Sequence, residues 1–169
     1  GDILHRCIKS IDKKYPIIIV ENSQNIKLKE ELEKKYSNVE CILPEKNLGY
    51  GAGNNLGLKN TETRYALISN PDVVYNDNFF DEIKSYLNGE INFSVIGPTY
   101  NDRKQLSYGS FDLSINTNKF DQFFLKDVDW IVGCTMLLDT KNINTNFYFD
   151  ENFFLYFEEA DLCRRIKIN

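Results

Sequence analysis

The amino-acid sequence predicts an α/β fold, a mostly parallel sheet with helices on both faces. Three observations carry this. A β-branched run, Ile17–Val20, follows Pro16 directly; apolar residues at helical spacing lie before and after it; and the helix-then-strand order repeats through about residue 98.

Ile3, Leu4, Cys7, Ile8 and Ile11 recur at i, i+3, i+4 spacing and predict an opening helix. Four consecutive β-branched residues at 17–20 predict a strand buried on both faces, the kind found inside parallel sheets. Leu28, Leu32 and Tyr36 share one face of a helix over 26–36, and 39–43 reads as a strand closed by Pro44. A helix over 50–60 and a strand over 64–69 follow. Residues 77–87 predict a helix with Phe79, Phe80, Ile83, Tyr86 and Leu87 inward, and Val95 and Ile96 a strand stopped by Gly97-Pro98. Residues 99–127 are polar and aromatic without a sustained period and read as a long excursion. A strand over 130–138 and a terminal helix over 158–166 complete the chain. Both ends look cut, because doubly wound domains start with a central strand whereas this chain starts in a helix and stops soon after its last helix begins.

The 169 residues correspond to about one domain at roughly 150 residues each. Twenty Lys+Arg against twenty-five Asp+Glu give a net charge of −5 with no basic run, which argues against nucleic acid as a partner. The four cysteines are far apart and form no Cys-x-x-Cys pair, so reduced thiols in a cytosolic protein are expected. No apolar stretch approaches the ~20 residues needed to cross a bilayer. His5 is the only histidine, which excludes Ser-His-Asp and Cys-His catalysis and His-x-x-His metal sites. Acid–base chemistry is left to carboxylates.

Three segments carry candidate chemistry. Asn47 to Gly57 is glycine-rich between a strand and a helix, where N–H groups could face a ligand. It departs from the dinucleotide fingerprint, since the sixth position from Gly49 is Asn54, and Asn54 and Asn55 suit hydrogen bonds to a base or ribose. The alternative is a turn whose glycines permit close packing. Ser69-Asn70-Pro71-Asp72 puts Asp72 at the carboxyl end of a strand, where open α/β sheets bind ligands. One carboxylate there suits a hard cation held mainly through substrate phosphates and water. Glu21-Asn22-Ser23 ends the first strand in the same way, with a helix N-cap as the alternative. Finally, Glu158, Glu159 and Asp161 crowd three carboxylates behind an aromatic run. The helix dipole favours acids there, and mutual repulsion beside aromatic rings raises proton affinity, as a general base requires.

Asn47-Leu48-Gly49-Tyr50 with its Gly/Asn run, Ser69-Asn70-Pro71-Asp72, Trp130-Ile131-Val132-Gly133-Cys134, and Phe149-Asp150-Glu151-Asn152-Phe153-Phe154 leading into Glu-Glu-x-Asp-Leu occur here in sequence. Together they resemble family 2 glycosyltransferases, and more narrowly the rhamnosyltransferase-like branch that builds bacterial surface polysaccharides. The resemblance implies a Rossmann-like GT-A fold over 1–169, with a nucleotide-binding half at about 1–98 and an acceptor and catalytic half at about 99–169. It implies a dTDP- or UDP-sugar donor, Mg²⁺ or Mn²⁺, inversion at the anomeric carbon, and a saccharide or lipid-linked saccharide acceptor. It also implies a cytoplasmic location extending to the inner face of the membrane.

Carried over by position, Glu21 and Asn22 contact the nucleoside, and Asn47, Gly49 and Asn54 line the nucleotide pocket. Asn70 and Asp72 form the Asp-x-Asp-like element with Asp72 facing the metal, Gly133 and Cys134 line the donor sugar, and Glu159 is the base. Asp161 assists electrostatically or caps the helix. The chain departs from the family pattern in having Glu159 where Asp is usual, Asn70 for the first acid, and neither the first strand nor the tail. A non-catalytic nucleotide-sugar-binding module is the alternative, and a nicotinamide-dependent oxidoreductase a third reading weakened by the broken glycine pattern.

Overall fold

The computed structural model describes residues 2–89, 92–98, 100–102, 105–107, 128–143 and 148–168, with only the backbone described at 100–102 and 105–107. The elements run α1 (Asp2–Lys9), β1 (Ile17–Val20), α2 (Ile26–Lys35), β2 (Val39–Ile42), α3 (Gly49–Lys59), β3 (Tyr65–Ser69), α4 (Phe79–Leu87), β4 (Val95–Ile96), β5 (Tyr100–Asp102), β6 (Gln105–Ser107), β7 (Thr135–Asp139) and α5 (Glu158–Ile168). β1 and β2 pair in parallel, Ile17 opposite Val39. β7 lies between β3 and β4 and runs antiparallel to both, so β3 and β4 point the same way. β5 and β6 form an antiparallel pair. The rest of the excursion expected over 99–127 lies outside the described residues.

Two apolar clusters fix the layers. Ile8 of α1 and Leu32 of α2 pack with Val39 against the face of β1 that carries Ile17 and Ile19. Val20 points the other way, towards α3. Leu58 of α3, Ala66 and Ile68 of β3, Met136 and Leu138 of β7, and Leu162 and Cys163 of α5 form the second cluster. Alternation along β3 and β7 produces this directly: Ala66 sits opposite Leu138 and Ile68 opposite Met136, on one face. α1 reaches both sheets, because the Cys7 thiol lies 3.7 Å from the Asn70 carbonyl and Ser10 Oγ accepts from the Tyr75 N–H at 3.1 Å. α3 bridges them on the opposite side. His5 joins α1 to α2 through Tyr36 and Glu31.

α4 turns the five expected residues, Phe79, Phe80, Ile83, Tyr86 and Leu87, inward: they are half-buried while the rest of the helix is exposed, and the two Phe rings pack on Tyr15 and Tyr75. Two expectations change. β1 is half-buried rather than buried on both faces, and among the described residues its backbone pairs with β2. The strand expected from 130 starts at Thr135, because the backbone turns at Gly133 and Cys134.

Candidate active site

Tyr50, in the first turn of α3, joins the candidate segments. Its backbone N–H donates to the Phe154 carbonyl at 3.1 Å, its hydroxyl donates to the Gly133 carbonyl, and its ring meets Phe149 edge-on. Burial pushes the phenol pKa well up, with the charges of Glu159 and Glu158 adding to the effect. Gly133 is glycine for a local reason: a Cβ there would sit 3.1 Å from the Tyr50 hydroxyl. On the far side of Gly133, the Cys134 carbonyl accepts from the Asn70 N–H at 2.9 Å, so Gly133-Cys134 lies beside Asn70-Pro71-Asp72.

Asn22, at the end of β1, spends both ends of its amide on the glycine-rich segment: Nδ2 donates to the Gly49 carbonyl at 3.1 Å and Oδ1 accepts from Leu48 at 3.2 Å. Asn47 Oδ1 accepts from the Gly49 N–H at 2.9 Å, an Asx turn that leads into α3. Asn54 Nδ2 bonds the Tyr50 carbonyl one turn back. Glu21 accepts from the N–H and hydroxyl of Ser23. Asn22, Asn47, Gly49 and Asn54 thus lie together around the start of α3.

Two readings of this segment are corrected. The N–H groups of Gly49 and Tyr50 are spent on Asn47 and Phe154 rather than facing a ligand. Asn55 is buried, and its amide exchanges both bonds with the Phe149 backbone and touches Glu151, leaving nothing for a base or ribose. The glycines here serve close packing. Gly49 has φ +77°, and a Cβ on it would lie 2.2 Å from the Phe154 carbonyl oxygen; one on Gly51 would lie 3.1 Å from Phe149. Sequence reasoning passed over Tyr50, although its place inside the Asn-Leu-Gly-Tyr motif was the available signal.

The three carboxylates at the start of α5 have different circumstances. Asp161 is bound by Arg165 one turn on, at 2.7 Å. Glu158 is 3% exposed; one carboxylate oxygen has no partner, and burial pushes its pKa up, reinforced by the Glu159 charge. Glu159 is half-buried and makes no hydrogen bond or ion pair among the described residues. Asp72 is exposed and equally unengaged. Among the described residues no group of three or more His, Cys, Asp or Glu side chains is arranged to hold a metal. That fits a cation whose other ligands come from a bound diphosphate and water, and it does not fit a site built wholly from protein.

The family model for glycosyl transferase family 2 matches residues 1–158. The chain belongs to that family. Among curated proteins it is 26% identical to the low-salt glycan biosynthesis hexosyltransferase Agl10 of Haloferax volcanii, over 89% of this chain and 52% of that protein. It is also 26% identical to the rhamnosyltransferase WbbL of Escherichia coli K12, over 93% of this chain and 68% of that protein. The chain therefore spans about half to two thirds of the length of these relatives. The structure of S. aureus TarS 1–349 in complex with UDP superposes on 98% of this chain and 51% of that one with a TM-score of 0.71 at 15% identity. A second structure of TarS 1–349 gives a TM-score of 0.69 at 14% identity, over 99% of this chain and 52% of that one. These likenesses establish the fold as GT-A, as the motifs implied. All four cysteines are free thiols. Among the described residues no helix is long and apolar enough to cross a membrane.

Proposed function

We propose that this chain carries the donor site and catalytic base of an inverting glycosyltransferase that moves a sugar from a nucleotide-diphospho-sugar to an acceptor hydroxyl in surface polysaccharide or glycolipid synthesis. One observation supports it above the others. Through its backbone N–H and its hydroxyl, Tyr50 ties the segment leading into α5, on which Glu159 has no side-chain hydrogen bond or ion pair among the described residues, to Gly133-Cys134 beside Asn70-Pro71-Asp72. The segments that carry a candidate base and a candidate diphosphate-end carboxylate are thereby joined through one residue.

In this reading Glu159 accepts the proton of the acceptor hydroxyl as that oxygen attacks the anomeric carbon on the face opposite the diphosphate. The C–O bond to the diphosphate breaks as the new one forms, so no covalent sugar–protein species is needed. Charge builds on the sugar in an oxocarbenium-like transition state, which the negative field of Glu159 favours, whereas Asp161 is paired with Arg165. Asp72, with Asn70, would hold Mg²⁺ or Mn²⁺, which when bound supplies positive charge to the leaving diphosphate. UDP in the TarS complex and the hexosyl- and rhamnosyltransferase relatives make UDP- and dTDP-sugars the donors to try first.

The test is Glu159→Gln, which keeps size and removes the proton acceptor. Turnover should fall by about 10²–10⁴-fold while donor affinity by calorimetry stays at the parent value. Transfer at the parent rate removes Glu159 as the base. Donor binding without transfer by the parent itself points instead to a binding module.

A further inference from the structure

Asp72 sits inside a hydrogen-bonded turn. The Val73 N–H donates to the Asn70 carbonyl at 3.3 Å, which closes Asn70-Pro71-Asp72-Val73 upon itself, and Pro71 restricts the backbone within it. Asn70 anchors the turn to the rest of the chain. Its carbonyl also receives the Cys7 thiol at 3.7 Å and the Ser69 hydroxyl at 3.1 Å, and its N–H donates to the Cys134 carbonyl at 2.9 Å.

Gly133 and Cys134 lie in the turn that precedes β7, outside its pairing with β3. Among the described residues two hydroxyls reach the backbone of that turn. The Thr135 hydroxyl donates to the Cys134 carbonyl at 2.9 Å, but it belongs to the next residue and moves with the turn. The Tyr50 hydroxyl comes from α3 and donates to the Gly133 carbonyl, so it is the one that sets where the turn lies. The phenol suits this work. Its ring is packed on Phe149, its N–H is fixed to Phe154, and burial raises its pKa, which keeps the proton on the oxygen.

We propose that Tyr50 is a positioning residue for the cation carboxylate: its hydroxyl holds the Gly133-Cys134 turn, the Cys134 carbonyl holds Asn70, and the turn anchored at Asn70 holds Asp72 where a nucleotide-bound divalent cation can reach it. The assignment rests on the donor-site reading above and gives a role in it to a side chain that acts through backbone carbonyls alone.

Tyr50→Phe tests this, since it removes the hydroxyl and keeps the ring and the backbone N–H. In amide hydrogen exchange of the chain without metal or nucleotide, Asn70 and Val73 should exchange about two- to tenfold faster than in the parent, the range that one net hydrogen bond spans. Ala66 and Ile68, within the β3–β7 pairing, should keep their rates. In calorimetry the factor by which Mn²⁺ improves UDP affinity should fall by a similar two- to tenfold, with metal-free UDP affinity unchanged. Gly133→Ala, whose Cβ would lie 3.1 Å from the same hydroxyl, disturbs the contact from the other side and should lower the same factor. Arg64→Met breaks the ion pair with Asp139 at the opposite end of β3 and should leave the factor at the parent value. A full Mn²⁺ factor in both Tyr50→Phe and Gly133→Ala, or unchanged exchange at Asn70 and Val73 in Tyr50→Phe, overturns the positioning role alone. An equal loss of the factor in Arg64→Met shows that any loss of stability suffices and overturns it as well. A parent chain that binds no UDP with or without Mn²⁺ overturns the underlying reading and this role with it.

Discussion

At the scale of single residues, two buried carboxylates show opposite electrostatics. Asp139 has no exposed surface, yet Arg64 donates to it from Nε and a terminal nitrogen, the latter at 2.8 Å, and the Lys141 N–H adds a third donor. These bonds, Arg64's first, hold its carboxyl below the usual range. A depressed acid stabilises the fold above its unfolded pKa, about 3.9, and loses that contribution as pH falls through the folded value. Arg64→Met leaves the buried charge with one backbone donor and should lower stability at neutral pH, read by urea denaturation. The difference from the parent should shrink below about pH 4; a gap that is constant with pH would show that the pair contributes packing alone. Glu158 runs the other way. With its pKa raised by burial, the folded state keeps its proton above the unfolded value of about 4.3, so its contribution to stability falls as pH rises from there to the folded value. Glu158→Gln removes that titration, so the variant should gain stability relative to the parent between acid and neutral pH in the same denaturation experiment. An unchanged difference across that range would mean that Glu158 is ionised in the fold.

At the scale of elements, periodicity made most of the fold legible. The i, i+3, i+4 spacing of α1 and α2 and the β-branched run of β1 depend on local burial, which a sequence encodes directly. What it misplaced depends on partners distant in the chain. Residues 130–134 are as apolar as a strand, but Gly133 and Cys134 turn to meet Tyr50 and Asn70 from elements more than sixty residues away. The glycine-rich segment admitted two readings from its residues because loop and helix glycines look alike until their neighbours are known. Packing accounts for Gly49, whose positive φ and near-zero clearance to Phe154 leave no space for a side chain. Gly49→Ala should therefore cost roughly 2–4 kcal/mol, combining left-handed strain with displacement of the 154 backbone. Thermal unfolding followed by circular dichroism measures it, and a loss under about 0.5 kcal/mol, the scale of an ordinary surface change, would show that α3 docks without that contact.

At the scale of the whole molecule, the candidate site is spread over the ends of β1 and β3, the starts of α3 and α5, and the turn before β7. Its residue types could be read from the motifs, and its assembly could not, because Tyr50, the side chain that joins them, is neither charged nor a habitual ligand. The same dispersion bears on the metal. Among the described residues Asp72 belongs to no group of three carboxylates, thiols or imidazoles, so those residues supply few strong ligands for a cation on their own. Binding should then be cooperative: Mn²⁺ alone should give little heat in calorimetry, UDP alone should bind weakly through the segments around Asn22 and Asn47, and the two together should bind more tightly than either. By linkage, the factor by which Mn²⁺ improves UDP must equal that by which UDP improves Mn²⁺, which provides an internal check. Asp72→Ala should remove most of that mutual factor, typically five- to 150-fold for coupled ligands, while leaving metal-free UDP affinity at the parent value. If the variant keeps the full factor, or if the parent binds Mn²⁺ equally well without nucleotide, the cation is held elsewhere and Asp72 is a surface carboxylate.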